Sequence, residues 1–307
     1  MLAQYERAER ILDSSAPARR DGSWWEEWLN VRLERMATCY WTGRVEEMAM
    51  VEREVRPVVE ARATRGQRAR YLDLATDLRF AQNRYRVDDE IMRLGRAHLS
   101  VAEEIGDLRQ VAKAQFDVAF CELFQGDLDA AEARLHESLA GAERVGDAVG
   151  RLRSLAYLSL VARLMGQEDL TAERSDELSE ASTEAGVDVY VPLERANRAW
   201  LAWRTGDASV ARRRAEDALA GWAVYAGSFP FQWAARWVLL AVAATEGDVP
   251  GAIEQSAAML APEQQALPDP VTFELEAAPQ DLSAGKPDGA QRHLEEALRL
   301  ARGHGYL

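Results

Sequence analysis

Apolar residues recur every three or four positions along most of the chain, which is the spacing that places them on one face of an α-helix. Around residue 126 two such runs flank a Gly-Asp break. The first holds Phe116, Val118, Ala119 and Leu123, and the second holds Leu128, Ala131, Leu135 and Leu139. No segment alternates apolar and polar residues as a half-buried strand does. The pattern therefore predicts an all-α protein.

Glycines mark the breaks between the predicted helices at a regular interval of about 40 residues. One series stands at Gly126, Gly166, Gly206, Gly247 and Gly285, and a second at Gly106, Gly146 and Gly186. Glycine readily adopts the positive φ that closes a helix, and an aspartate that follows it can cap the next helix. Each unit is therefore predicted to be helix, tight turn, helix, tight turn.

The repeat divides the chain into a single array spanning residues 1–307. The predicted units are a half unit at 1–20, then 22–66, 67–107, 108–147, 148–187, 188–228, 229–266 and 267–307. One break departs from the pattern, because Arg84-Tyr85-Arg86 stands about midway between Gly43 and Gly126 where a glycine is expected. The periodicity thus predicts about seven helical hairpins after one leading helix.

Small and large residues recur at fixed positions within the units, and this pattern resembles a tetratricopeptide repeat (TPR). The unit around Gly126 carries Ala119, Ala131, Leu135 and Ser138, and the unit around Gly206 carries Ala199, Ala211, Ala215 and Ala218. Small residues let the two helices of a hairpin approach closely, while large ones fill the space toward the next hairpin. The resemblance implies a right-handed α-α superhelix, with longer helices than the usual period of about 34 residues requires.

Three aromatic segments carry a narrower resemblance. Trp24-Trp25-Glu26-Glu27-Trp28-Leu29, Pro230-Phe231-Gln232-Trp233 and Gly305-Tyr306-Leu307 look similar to the C-terminal TPR arm of large ATPase-type bacterial signalling regulators, including the maltose regulator and certain cyclase-linked ATPases. This resemblance implies a regulatory or assembly arm. Its partner would be a protein or peptide, including another domain of a larger parent chain.

Composition and charge exclude several other functions. The formal net charge of −14 offers no basic face for phosphates, so we expect no direct nucleic-acid binding. Two cysteines, Cys39 and Cys121, make no disulfide framework and fit a reducing cytoplasm. The start of the chain has no signal-peptide core, and the longest apolar run, 237–244, is too short to span a bilayer. We therefore predict a cytoplasmic protein that has no membrane partner.

Catalytic and cofactor motifs are absent from the sequence. It contains no phosphate-binding loop, no dinucleotide fingerprint and no His-Glu-x-x-His pair. The four histidines come from different repeats, and the adjacent carboxylate pairs point in different directions on a helix. We predict that the chain is not an enzyme and holds neither a cofactor nor a metal.

A partner site is predicted on the concave side of the superhelix, which the first helix of each TPR unit lines. Counting from the turn glycines, the resemblance assigns partner binding to Tyr40, Phe80, Asn83, Arg84, Phe116, Phe120, Phe124, Arg163, Trp200, Trp203, Arg204 and Trp237. Aromatic rings with interspersed arginine and asparagine are typical of interface anchors. Aromatic residues at helical spacing can equally belong to the core, so both interpretations stand at this point.

Two functions fit these observations. The first is a non-catalytic scaffold that mediates protein-protein or intramolecular interactions, as the regulatory or assembly arm of a bacterial signalling or transcriptional regulator. The alternative is a free-standing sensor that binds a signalling peptide or a small molecule in its concave groove. A sensor of this kind needs no second protein, so its ligand alone would raise its melting temperature.

Overall fold

The fold was analysed in a computed structural model, which describes residues 2–14, 21–225 and 229–307. These residues contain fifteen helices and no strand. The helices are α1 (Leu2–Ser14), α2 (Gly22–Trp41), α3 (Val45–Arg62), α4 (Arg65–Gln82), α5 (Asp89–Ile105), α6 (Leu108–Gln125), α7 (Leu128–Arg144), α8 (Ala148–Leu164), α9 (Glu168–Ala185), α10 (Val191–Arg204), α11 (Ala208–Trp222), α12 (Trp233–Thr245), α13 (Val249–Leu260), α14 (Asp269–Ser283) and α15 (Pro287–Gly303). The predicted all-α class is confirmed.

The Gly-Asp breaks work as the sequence predicts. Gly126 ends α6 with φ 88°, in the left-handed region that favours glycine. The side chain of Asp127 then accepts a hydrogen bond from the backbone N–H of Ala130, at 3.2 Å, and so caps α7. The same geometry recurs at Gly206 with Asp207 and at Gly247 with Asp248.

From α2 to α15 the helices form seven hairpins, and each predicted unit contains one helix pair. One boundary differs, since α4 begins at Arg65, before the predicted start of its unit at 67. A capping box explains the earlier start, because Thr64 and Gln67 satisfy each other's backbone N–H groups. Parts of two predicted units lie outside the described residues: positions 1 and 15–20 of the half unit, and 226–228 of the unit 188–228.

The first helices of successive hairpins lie on the inner side of the array. Helix α2 packs against α4, α6 against α8, α8 against α10 and α10 against α12. Small residues permit these close approaches: Ala119 in α6 and Ala199 in α10 are both fully buried. The core forms two clusters, one around α2, α3 and the second half of α4, and one extending from Phe80 to Leu307.

Among the described residues, no helix is long and apolar enough to cross a membrane.

Candidate functional site

The turn between α4 and α5 is the break that lacks a glycine, and its backbone is strained. Arg84 and Tyr85 have φ of 50° and 59°, in the left-handed region that side chains other than glycine rarely adopt. Among the described residues they are the only non-glycine residues with positive φ. Such strain persists where surrounding contacts hold it in place, and it is common at functional positions.

The contacts that hold this turn come from the other end of the array. The guanidinium of Arg84 donates to three carbonyls at the end of α13 and in the 261–268 loop: Gln264 at 3.0 Å, Ala261 at 3.1 Å and Leu260 at 3.4 Å. In return, the N–H of Ala266 donates to the Arg84 carbonyl at 2.9 Å. The second and sixth hairpins are therefore joined directly across the concave side.

Arg86 strengthens this junction. Its guanidinium donates to the Leu267 carbonyl at 2.7 Å and to the Asp269 carboxylate at 2.6 Å. Both groups of the ion pair with Asp269 are more than half exposed, so solvent screens that interaction.

Phe231 is buried among aromatic rings of the inner helices and the α4–α5 turn. Its ring lies 4.9 Å from the rings of Tyr85 and Phe124, 5.7 Å from Phe120 and 6.4 Å from Tyr157. These rings come from the α4–α5 turn, α6 and α8, whereas Phe231 precedes α12. One buried side chain thus contacts three consecutive hairpins from which it is distant in sequence.

The segment 305–307 also packs against the inner helices. Tyr306 lies over Trp233 and Trp237 of α12, with ring centroids 4.7 and 6.4 Å apart. Gly305 has φ 73°, and a Cβ atom there would lie only 2.2 Å from the carbonyl oxygen of Leu164. Glycine is therefore required at this position for the segment to approach the end of α8.

A cavity of about 610 Å³ lies between this segment and the inner helices. Its volume is in the range of small-molecule pockets. It is lined by 123–126, Leu128, 163–166, Trp200, Arg204, Trp233, Gln265, Pro268 and 302–307. The lining includes three arginines and one histidine but no acidic side chain, although the whole chain carries a net charge of −14.

Arg163 is the cavity residue with the most unusual environment. It is fully buried, and no acidic side chain of the described residues forms an ion pair with it. Its guanidinium donates to the Tyr306 carbonyl at 2.8 Å and makes two longer contacts, with the Ala196 carbonyl at 3.4 Å and the Asn197 side chain at 3.5 Å. Burial lowers the pKa of Arg163 to about 9.

Four of the twelve predicted partner-binding residues reach this cavity: Phe124, Arg163, Trp200 and Arg204. Arg204 is exposed and paired with Glu168 at 2.8 Å, whereas Trp200 is 1% exposed. Trp203 is half-buried against the core on the same turn of α10 as Arg204. The partner-binding role of these residues stays a prediction.

Seven predicted residues make other contacts within the chain. Four are buried in the core: Phe80, Phe116, Phe120 and Trp237, none more than 8% exposed. Three others lie in or beside turns: Asn83, Arg84 and Tyr40. Asn83 donates a hydrogen bond to Asp88 at 2.8 Å, and Arg84 forms the junction described above. Tyr40 is half-buried beside Trp41. In this conformation they hold the fold together, and a partner-binding role for them stays a prediction.

A second polar group lies between α4, α5 and α6, around Lys113. Its ammonium lies 2.5 Å from Asp73 and 3.0 Å from Asp117, and His98 lies 3.1 Å from Asp117. The donor atoms of Asp73, His98 and Asp117 are close enough to suit a cation. Lys113, however, already supplies the positive charge between the two carboxylates.

The electrostatics of this group follow from burial and the shared ammonium. Burial opposes the ionisation of Asp117, but Lys113 and then His98 outweigh it and lower its pKa to about 2. Asp77 has the opposite shift, since burial and then the charge of Asp73 raise its pKa well above the ordinary value. The group is therefore an ion network, in which Asp117 stays charged at neutral pH.

Sequence reasoning missed the residues that close the concave side. No periodic signal connects the 261–268 loop, Phe231 or Tyr306 with the residues they contact. Two signals were available: the break at 84–86 lacks a glycine, and both Phe231 and Tyr306 lie in aromatic segments that interrupt the repeat.

Comparisons with known proteins identify the fold. No protein-family model and no curated protein matches the chain. Solved structures do match, and one of them is the apo form of the quorum sensor NprR from B. thuringiensis. It is 12% identical in sequence and has a TM-score of 0.63. The match covers 97% of this chain and 93% of the NprR chain. The apo form of RapI is also 12% identical, with a TM-score of 0.57, over 98% and 95%.

A third match is longer than this chain. It is a signal transduction ATPase with numerous domains (STAND) that has a tetratricopeptide repeat sensor, from Pyrococcus horikoshii, 15% identical with a TM-score of 0.55. The match covers 94% of this chain, which spans 42% of the STAND protein's length. At these identities the similarity establishes the fold alone: the chain is a TPR-like helical solenoid, as the repeat pattern predicted.

Proposed function

We propose that this chain is a non-catalytic regulatory scaffold that binds a peptide in the concave cavity. The main observation in support of this proposal is the cavity itself. It is about 610 Å³ in volume and is bordered by α6, α8, α10, α12 and the segment 302–307. A peptide held there would contact five hairpins at once. Its binding would therefore stabilise the arrangement in which those hairpins meet.

The structural neighbours support a regulatory role. NprR is described as a quorum sensor, the STAND protein has a TPR sensor, and a further neighbour is a Rap protein in complex with competence and sporulation factor. That Rap structure is 13% identical, with a TM-score of 0.55, over 91% of this chain and 88% of that one. We carry over from these proteins only the general role of a ligand-responsive regulator.

Whether the scaffold acts alone or as an arm is a further part of the proposal. The resemblance of three aromatic segments to ATPase-type bacterial regulators, together with the STAND match, supports an arm of a larger cytoplasmic regulator. A tag at the 3′ end of the chromosomal gene, followed by immunoblotting of lysate, tests this. A band much larger than 34 kDa supports the arm, and a band near 34 kDa assigns a free-standing sensor.

The peptide site is tested by blocking the cavity. Gln125 is exposed and lines the cavity, so Gln125→Trp fills part of its volume with little effect on the core. Gln291→Trp on α15 is the matched control, because Gln291 is also exposed but lies outside the cavity lining. The full chain is used to select binders from a library of random hexapeptides, and their affinities for the three proteins are then compared.

We expect the selected peptides to bind wild type and Gln291→Trp equally, and Gln125→Trp at least tenfold more weakly. Circular dichroism checks that all three proteins have the same helicity. A selection that enriches no peptide, or peptides that bind Gln125→Trp as well as wild type, would overturn the proposal.

A further inference from the structure

Arg163 has a positive charge that the fold buries without neutralising. Its side chain is fully buried at the end of α8 and borders the cavity. Buried charges in proteins are normally paired, because leaving water is costly for an ion. Here the described residues supply only carbonyl and amide oxygens, of which the Tyr306 carbonyl at 2.8 Å is the one short contact.

Unused hydrogen-bond donors lie beside this charge. The Nε atom of Arg163 and the indole Nε1 of Trp200 are buried and have no partner among the described residues. The guanidinium carbon lies 5.7 Å from the ring of Trp200 and 5.8 Å from that of Trp233. Both tryptophans line the cavity as well, so the donors and rings surround one space.

The rest of the lining favours an anion with an apolar body. Arg302 and His304 add positive or ionisable groups at the exposed side, and no acidic residue lines the cavity. Arg204 already has a partner in Glu168, which leaves Arg163 as the buried cation without one. Apolar walls come from Leu123, Phe124 and Met165. One unpaired buried cation suits a single carboxylate better than a phosphate dianion.

We infer that Arg163 binds the carboxylate of a peptide that places an aromatic or large apolar residue next to it. This inference rests on the proposed function, since it names the ligand chemistry of the same cavity. The planar guanidinium pairs with carboxylates through parallel hydrogen bonds. The carboxylate comes from the peptide's C-terminus or from an acidic side chain, and the experiment distinguishes these sources.

The test uses three probes that differ in the position of the carboxylate. They are N-acetyl-alanyl-tryptophan with a free carboxyl terminus, its C-terminal amide, and N-acetyl-aspartyl-tryptophan amide. Calorimetry measures the affinity of each probe for the wild-type chain. We expect at least one carboxylate probe to bind ten or more times tighter than the neutral amide. The stronger of the two identifies the source of the carboxylate.

Variants then assign the preference to Arg163. We expect Arg163→Met and Arg163→Gln to bind acid and amide probes equally. Arg236→Met is the matched control, because burial also lowers the pKa of Arg236, and this residue does not line the cavity. It should keep the wild-type preference. If the Arg163 variants fail to fold, the double variant Arg302→Gln with His304→Gln replaces them: a carboxylate preference that it retains supports Arg163, and one that it abolishes overturns the role of Arg163.

The outcomes separate this inference from the proposed function. Wild type that binds all three probes equally, with Gln125→Trp binding none, overturns the carboxylate assignment and leaves the cavity as the peptide site. A carboxylate preference that survives in Arg163→Met likewise overturns the role of Arg163. Probe binding that Gln125→Trp does not weaken overturns both.

Discussion

Replacing Arg84 should release the junction between the α4–α5 turn and the 261–268 loop. Arg84→Ala removes the hydrogen bonds from its guanidinium to Gln264, Ala261 and Leu260. Two of these are short, at 3.0 and 3.1 Å. A hydrogen bond to a charged group contributes about 1.5–3 kcal/mol. Taking the low end of this range for each of the two short bonds, we expect a loss of about 3 kcal/mol in total.

Arg84→Gly separates the lost hydrogen bonds from the backbone strain. Arg84 has φ 50°, a conformation that costs a side chain other than glycine about 1 kcal/mol. Arg84→Gly loses the same hydrogen bonds but relieves that strain. It should therefore be more stable than Arg84→Ala by about 1 kcal/mol, and less stable than wild type by about 2 kcal/mol.

Native-state hydrogen exchange measures these differences at the junction. The amide of Ala266 donates to the Arg84 carbonyl, so its exchange reports opening of the contact. A loss of 3 kcal/mol corresponds to an exchange rate about 100-fold faster, since about 1.4 kcal/mol is a factor of ten. Arg299→Ala, on the exposed face of α15, is the control. An Ala266 amide that exchanges within twofold of wild type in Arg84→Ala would refute the reasoning.

Two further predictions concern packing and the ion network. Gly305→Ala should destabilise the chain by clearly more than Gly285→Ala. Both glycines have positive φ, which costs about 1 kcal/mol for alanine, but only a Cβ atom at Gly305 would meet a backbone carbonyl. Urea unfolding compares the stabilities of the two variants. Lys113→Met should cost about 2–4 kcal/mol at pH 7, and Lys286→Met, at an exposed position, close to nothing. The loss of stability in Lys113→Met should shrink as pH falls from the ordinary aspartate pKa of 3.8 toward 2, because the lowered pKa of Asp117 contributes stability only above that range. A loss of stability that does not change with pH would contradict this.

The fold could be predicted from the sequence because each repeat is specified locally. Gly126 and Asp127 decide where one helix ends and the next begins within two residues, and the same pair of signals recurs along the array. Apolar periodicity then defines which face of each helix is buried. These signals depend on near neighbours in the chain, so a single sequence contains all of them.

The candidate site could be predicted only in part. Counting from the turn glycines finds Arg163, Trp200 and Arg204, which line the cavity. It does not separate them from Phe120 or Trp237, which the contacts of Phe231 and Tyr306 bury. Those contacts join residues far apart in sequence and depend on how the array curves. Periodicity describes each hairpin and contains no information about that curvature.

The junction at Arg84 also has a consequence for the evolution of the array. In an open solenoid each unit contacts only its neighbours, so recombination can add or delete a unit without disturbing the rest. Here four whole hairpins, α6–α7, α8–α9, α10–α11 and α12–α13, lie between the Arg84 turn and the 261–268 loop. An inserted or deleted hairpin would move the loop out of reach of Arg84 and Arg86. We therefore expect the number of hairpins within this interval to be constrained, and duplications of the gene segment to be tolerated only outside it.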